Sequence, residues 1–355
     1  MVRRVFDAYS RALRWSLLSL FVLSTGVSVM AGGGPRNVLV VQNRRSQTSK
    51  NIAAYYVRAR DIPPENLCTI DCSTAEIVSS SECATIVGSI RGFLAASPVA
   101  DNIDYIVLTK GVPLGVEMGF PSGPISLTSV LTCVSEPDVT QYIKNPYGPT
   151  AISIVETAFS HQLDLNGWHL YLVTRLDGYT EDDVHRMIDR SVMPPVTGPV
   201  LIDRQALSAG ASSAYKTLNN RLTMANDLLV ARGIPTIYDD SSVFVGDQSG
   251  LIGYFSWGSN DAAFSQTAYR SNTFAPGSIA DTYVSSSART FTQTSGGQSL
   301  IADLISQGAC AVSGYISEPY TAYSTYANVL FDRYTKGYNM AESFYASCPE
   351  IYWKS

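Results

Sequence analysis

Residues 103–109 read Ile-Asp-Tyr-Ile-Val-Leu-Thr, apolar at nearly every position. A strand with one wet face alternates apolar and polar side chains. A continuous apolar, β-branched run has no wet face and belongs in a sheet covered on both sides. Similar short runs recur at 37–42, 67–70, 168–174, 199–203, 236–239, 251–256, 282–285 and 310–316. Between them lie stretches with helical spacing. Residues 49–60 are apolar at 52, 53, 56 and 57, and residues 76–96 place Ile86, Ile90, Phe93 and Leu94 on one side. Residues 180–191, 214–232, 298–307 and most of 320–347 read as further helices. The punctuation agrees. Pro63-Pro64, Pro194-Pro195, Gly233 and Gly308 stand where helices stop, and Thr180 followed by Asp182 and Asp183 is a helix start. This alternation predicts an α/β fold: a doubly wound, mainly parallel sheet with helices on both faces. Residues 118–165 carry Gly, Pro and Ser without a long period and read as an irregular insertion. It divides an N-terminal α/β subdomain, 37–117, from a C-terminal one, 166–355.

The N-terminus reads differently from the rest. Arg3, Arg4, Arg11 and Arg14 precede an apolar run at 15–30, and Val29-Met30-Ala31 offers a cleavage site before three glycines. That order is a secretory signal peptide covering residues 1–31. Arg3-Arg4 also resembles a twin-arginine signal, though Asp7 and the distant apolar run do not suit it. The apolar run is short for a bilayer span, and no later segment is long enough for one. Charged residues make up 15% of the chain, against roughly 25% in an average soluble protein, and Ser, Thr, Gly and Tyr replace them. These features predict an exported protein, periplasmic or extracellular. The net charge of −5 and the lack of a basic patch argue against a nucleic-acid partner.

In open parallel sheets, ligands bind beyond the carboxyl ends of the strands. The residues that follow the strand runs are unusually polar. They include Lys110 after the third run, Arg175 and Asp177, then Trp257, Asn260 and Asp261, then Ser286, Ser287 and Arg289, and finally Glu318. Lys110, Arg175 and Arg289 would suit an anionic ligand, Trp257 the face of a sugar, and Asn260 and Glu318 its hydrogen bonds. The plainer reading pairs these charges locally, Arg175 with Asp177 and Glu318 with Arg289. Candidate catalytic groups are Ser286, Ser287, Asp177 and Glu318. An acid pair drawn from Asp177, Asp261 and Glu318 would serve glycoside chemistry. No histidine falls at these strand ends, so an ordinary Ser-His or Cys-His site is not expected. There is no phosphate-binding glycine motif, and the reading implies no cofactor. Six cysteines, at 68, 72, 83, 133, 310 and 348, lie apart from the histidines at 161, 169 and 185 and imply no metal. They read as buried thiols with at most one disulfide among Cys68, Cys72 and Cys83.

The runs TKGVPL at 109–114, TRLDG at 174–178, SWGSN at 256–260 and EPY at 318–320 resemble those of a family of exported bacterial proteins with no assigned chemistry. The likeness covers roughly residues 37–353. Thr128 stands where that family usually has an acid. The family also continues past the position of Ser355 with a strand and a Gly-Asp-Pro motif, so the resemblance implies a further C-terminal segment. More distantly, the second half is similar to the gingipain-type, caspase-like cysteine peptidases. Trp257-Gly258 and the serines at 285–287 stand where those peptidases carry His-Gly and the nucleophilic Cys, and Cys310 begins the next strand, at the wrong end for a nucleophile. The resemblance thus implies a gingipain-like pseudo-peptidase that binds an unknown ligand, anionic or a glycan, at the sheet edge. The rival readings are a hydrolase using a serine or an acid pair, and a surface or assembly protein whose edge is filled by its own side chains.

Overall fold

A computed structural model describes residues 32–120, 122–136, 139–150, 157–192 and 197–355. The expected signal peptide with its cleavage site, and the helix stop expected at Pro194-Pro195, lie outside the described residues. In chain order the first half contains Val38–Asn43 (β1), Gln47–Ala59 (α1), Leu67–Ile70 (β2), Ile77–Ser79 (β3), Ser80–Ala96 (α2), Tyr105–Thr109 (β4), Gly115–Glu117 (β5), Ile125–Ser126 (β6), Leu127–Thr132 (α3), Ile143–Lys144 (β7), Leu172–Leu176 (β8) and Glu181–Arg190 (α4). The second half contains Val200–Asp203 (β9), Ser213–Ala231 (α5), Thr236–Asp239 (β10), Leu251–Ser256 (β11), Gln266–Tyr269 (α6), Phe274–Thr282 (β12), Ile301–Ser306 (α7), Ala311–Val312 (β13), Ala327–Thr335 (α8), Met340–Ser347 (α9) and Glu350–Ile351 (β14).

The protein is α/β, with mostly parallel strands. The strands that sequence assigns to one sheet form two. The first runs β2-β1-β4-β8 and the second β10-β9-β11-β12-β13, and every pairing in both is parallel. Helices cover both faces of each. Along β4, Ile106 and Leu108 join a core with Ile86 and Ile90 of α2, while Val107 turns the other way toward Ile52 of α1. Along β9, Val200 and Ile202 meet Leu218 and Leu222 of α5, while Leu201 meets Tyr269 of α6. This in-and-out alternation within an apolar run is what burial on both faces demands.

Local chemistry fixes the helix ends. Ser46 caps α1 by accepting from Ser49 N–H, and Thr180 with Asp183 forms a complete capping box at α4. Such caps stabilise by about 1 kcal/mol each. Gly233 and Gly308 follow α5 and α7 with φ of 70° and 102°, a region in which glycine avoids the Cβ clash.

Several expectations are corrected. The helix expected from residue 76 begins with the short strand β3, which pairs in parallel with β5. The strand expected at 282–285 ends at Thr282, where β12 closes, so Tyr283 and the following serines belong to the loop. The strand expected at 310–316 holds only two residues. The segment at 118–165 is not wholly irregular. Leu127, Val130 and Leu131 of α3 enter the first sheet's core, and β7 pairs antiparallel with β14. All six cysteines are free. Burial pushes the Cys68, Cys72 and Cys133 thiols up to about 12 and Cys83 up to about 11, so they are inert packing groups. No helix among the described residues is long and apolar enough to cross a membrane.

Candidate functional site

At the carboxyl end of the first sheet, three predicted site residues do converge, but on each other. Lys110 Nζ lies 3.1 Å from Asp177 Oδ1 and donates to the Gly178 carbonyl at 2.8 Å. Arg175 Nη2 donates to the other Asp177 oxygen at 3.1 Å and to the Val112 carbonyl at 2.7 Å, and Nη1 to the Pro113 carbonyl at 2.9 Å. Asp177 is 3% exposed. The local Arg175–Asp177 pair expected from sequence is therefore present. The cluster staples the turns after β4 and β8 and leaves little cationic capacity for a ligand.

Arg289 is likewise occupied. Its guanidinium donates to the carbonyls of Ser286, Gln298 and Gly296 at 3.1, 2.8 and 3.3 Å. It thus ties the loop after β12 to the approach to α7 and forms no ion pair with Glu318. Ser286 Oγ donates to Gln298 Oε1 at 2.5 Å, Gln298 Nε2 to Asn260 Oδ1 at 2.9 Å, and Asn260 Nδ2 to the Tyr283 carbonyl at 2.6 Å. Ser287 is fully buried and accepts from Tyr315 N–H at 3.4 Å. No imidazole or carboxylate is hydrogen-bonded to either hydroxyl. Both serines act as struts of the loop in this arrangement.

The remaining predicted residues meet at one pocket of about 80 Å³ beyond the carboxyl ends of β11 and β12, where Trp257, Asn260, Ser285 and Glu318 line it with Tyr215, Tyr283 and Tyr315. Trp257 is 2% exposed, and its Nε1 donates to Asn219 Oδ1 of α5 at 2.7 Å. Its ring packs against Tyr215 and Tyr283 with centroids 5.0 and 5.4 Å away. Trp257 is thus a wall rooted in the second sheet's core rather than an exposed platform. Glu318 Oε1 accepts from Tyr320 N–H at 2.9 Å. Tyr320 has φ 65° and ψ 147°, a region nearly reserved for glycine, which costs on the order of 1–3 kcal/mol. The chain pays that cost beside the pocket rim. No lining residue of the pocket is basic, and none is His or Cys. Lys110, Arg175, Asp177, Ser286, Ser287 and Arg289 lie outside it.

Sequence reasoning missed the three tyrosines. Tyr215 comes from the first turn of α5, Tyr283 from the residue after β12, and Tyr315 from the segment after β13. A signal for Tyr283 was present, since it follows β12 in the same way that Trp257 follows β11.

Two buried carboxylates close strand ends beneath this edge. Asp203 ends β9 and Asp281 lies one residue before the end of β12, at 1% and 0% exposure. Burial is the first cause that pushes Asp203 up to about 7 and Asp281 up to about 8. Both folded values lie above the ordinary aspartate value near 4, so the folded state keeps protons that the unfolded chain has released. Their contribution to stability is therefore favourable at low pH and is lost as pH rises from about 4 to about 8. Urea unfolding should give a higher midpoint at about pH 5 than at about pH 8, and Asp281→Asn should narrow that gap. Equal midpoints in the parent at both pH values would contradict this assignment.

His161 bonds Asp104 at 2.9 Å and stacks on Tyr171, and His185 stacks on Tyr55, so both rings have partners away from the pocket. Among the described residues no group of three His, Cys, Asp or Glu is disposed to hold a metal. Comparison of the chain with models of protein families, with curated proteins and with solved structures finds no match.

Proposed function

We propose that this is an exported protein of gingipain-like type, without the peptidase's Cys/His pair, that binds a glycan at the pocket beyond β11 and β12. The observation that carries this reading is the convergence there of an indole, three phenol rings, an amide, three aliphatic hydroxyls and one carboxylate. Tyr215, 40% exposed, offers a ring face beside fixed polar groups, an arrangement that suits a sugar and its hydroxyls, while the buried rings of Trp257, Tyr283 and Tyr315 back the wall. The anionic ligand expected from Lys110, Arg175 and Arg289 is set aside, because those cations are spent on internal carbonyls and on Asp177. Glu318 makes the lining acidic, so a neutral or amino-bearing sugar is preferred over an acidic one. At about 80 Å³ the pocket takes one projecting group of a larger glycan.

The gingipain likeness is supported by the position of Trp257 and Ser285, on the loops after adjacent parallel strands. Neither residue has an acid–base partner of the peptidase kind. The hydrolase reading receives less support, since Asp177 and Asp261 do not line the pocket with Glu318. A glycan array probed with the parent protein and with Glu318→Gln tests the proposal. The parent should bind a subset of neutral or amino-bearing glycans. The variant should bind them at least about tenfold more weakly, because a hydrogen bond to a charged group contributes about 1.5–3 kcal/mol. A parent that binds no glycan on the array would overturn the reading.

A further inference from the structure

A second aromatic group lies on the outer side of the segment that borders the pocket. Along residues 318–324, Glu318, Pro319, Thr321 and Ser324 line the pocket. Tyr320 and Tyr323 pack instead on Trp353, with ring centroids 6.3 and 5.9 Å from it. Tyr142 joins them, 4.8 Å from Trp353 and 5.8 Å from Tyr323. Trp353 is the buried anchor. It is 3% exposed, and its Nε1 donates to the Pro319 carbonyl at 3.1 Å. Tyr142 and Tyr320 remain 42% exposed each. One short segment thus forms the pocket's wall with some residues and the edge of an open tyrosine platform with others.

The chain holds these rings in place at a cost. Six non-glycine residues among the described ones have positive φ, and three belong to this cluster: Ser122 at 68°, Tyr320 at 65° and Tyr352 at 56°. Ser122 Oγ and Tyr320 Oη share a hydrogen bond of 2.8 Å, and Tyr352 immediately precedes Trp353. Backbone strain of this kind concentrates at binding surfaces, where the surrounding structure enforces it. Lys354, the cation against the Trp353 ring, is fully buried and donates to the carbonyls of Gly123 and Pro124 at 2.5 and 3.0 Å. The platform therefore offers ring faces and hydroxyls rather than this charge. Two rings at this exposure present on the order of 200 Å² in all. That is little beside the roughly 800 Å² a side of a stable protein interface. It is enough for the face of a sugar.

We propose that Tyr142 and Tyr320 form a second subsite, on which the body of an extended neutral or amino-bearing glycan lies while one projecting group enters the pocket of about 80 Å³. This rests on the glycan reading of that pocket, and it names the ligand as a chain of several sugars rather than a single one. A pocket that takes one group leaves the remainder of the glycan to cross its rim. The 318–324 segment is the rim on one side, and it leads onto the platform. Two contacts tie the subsites together. Tyr320 N–H donates to Glu318 Oε1 at 2.9 Å, so the residue that carries a platform ring also fixes the pocket's one carboxylate. The Trp353 indole likewise holds Pro319, which lines the pocket.

Calorimetric titration of the full chain with β-1,4-linked oligomers of glucosamine and of N-acetylglucosamine, each as dimer and hexamer, tests this. On the parent, the hexamer of one series should bind at least about tenfold more tightly than its dimer, because it engages both subsites. Tyr320→Gly should reduce that preference to below about twofold and leave the dimer's affinity unchanged. This variant keeps the N–H that Glu318 accepts. Glycine also suits the backbone at position 320, so the urea midpoint should stay near the parent's, whereas loss of a merely structural ring would lower it. Tyr142→Ala is the second variant and should reduce the preference in the same way. Equal affinities of dimer and hexamer for the parent would overturn the platform and leave the pocket reading standing. An undiminished preference in both tyrosine variants would do the same. Hexamer binding that survives Ser285→Trp but is lost in Tyr320→Gly would keep the platform as a glycan site and strike the pocket reading. No binding of either series would overturn both.

Discussion

Replacing Trp257 by alanine should lower the unfolding free energy by about 4 kcal/mol. The indole is 2% exposed and packs between Tyr215 and Tyr283, in the core that also holds Leu218, Phe255 and Phe331. Removing it leaves a large void. It also strands Asn219 Oδ1, which now accepts from the indole N–H at 2.7 Å. Urea unfolding followed by circular dichroism measures the loss, and a change below about 1 kcal/mol would mean that the ring is not core. It follows that Trp257→Ala is a poor probe of ligand binding, since a variant this destabilised loses the pocket's wall together with its contacts.

Arg175→Ala should cost about 3 kcal/mol, for a different reason. The guanidinium satisfies two carbonyls of the turn after β4 and shares Asp177 with Lys110. Without it, Asp177 stays buried with half its pairing gone, and removing one member of a buried ion pair typically costs about 3–5 kcal/mol. Lys110 remains, which places the expectation at the lower end. Arg175→Lys should recover little of the loss, because an ammonium cannot span two adjacent carbonyls and a carboxylate in the way the planar fork does. Full recovery by lysine in the unfolding measurement would show that only charge matters there.

These two residues also show what the sequence could and could not disclose. The apolar runs located most strands within a few residues, because burial on both faces leaves no polar position to blur them. β12 was displaced for a physical reason. Its first half contains Pro276 and Gly277, the latter at φ 78°, and the pairing with β11 shifts register between Leu251 and Gly253. Pro and Gly inside a strand read as a turn when a register irregularity near an edge is what they mark. The split into two sheets was invisible for another reason. An apolar run reports that its faces are covered, but not whether a neighbour lies along each edge.

The candidate site was legible as a place and not as a composition. Strand ends pointed to Trp257, Asn260 and Glu318, which do meet. The same rule pointed to Lys110, Arg175 and Arg289, whose donors are taken by carbonyls of Gly178, Val112 and Gln298. Nothing in a sequence marks a carbonyl as waiting for a guanidinium. Tyr215 was hidden because helical spacing identifies α5 without saying which strand end its first turn overhangs.

On the proposed reading the ligand meets the acidic, aromatic pocket beyond β11 and β12 rather than Lys110, Arg175 or Arg289. The most direct measurement is calorimetric titration of one array-positive glycan into the parent, Ser285→Trp and Arg289→Ala. Ser285→Trp fills the pocket from its rim and should abolish binding, while Arg289→Ala should leave the affinity within about twofold, as expected for residues that share no contact with the ligand. Retained binding in Ser285→Trp together with lost binding in a folded Arg289→Ala would contradict the account and return the site to the cations.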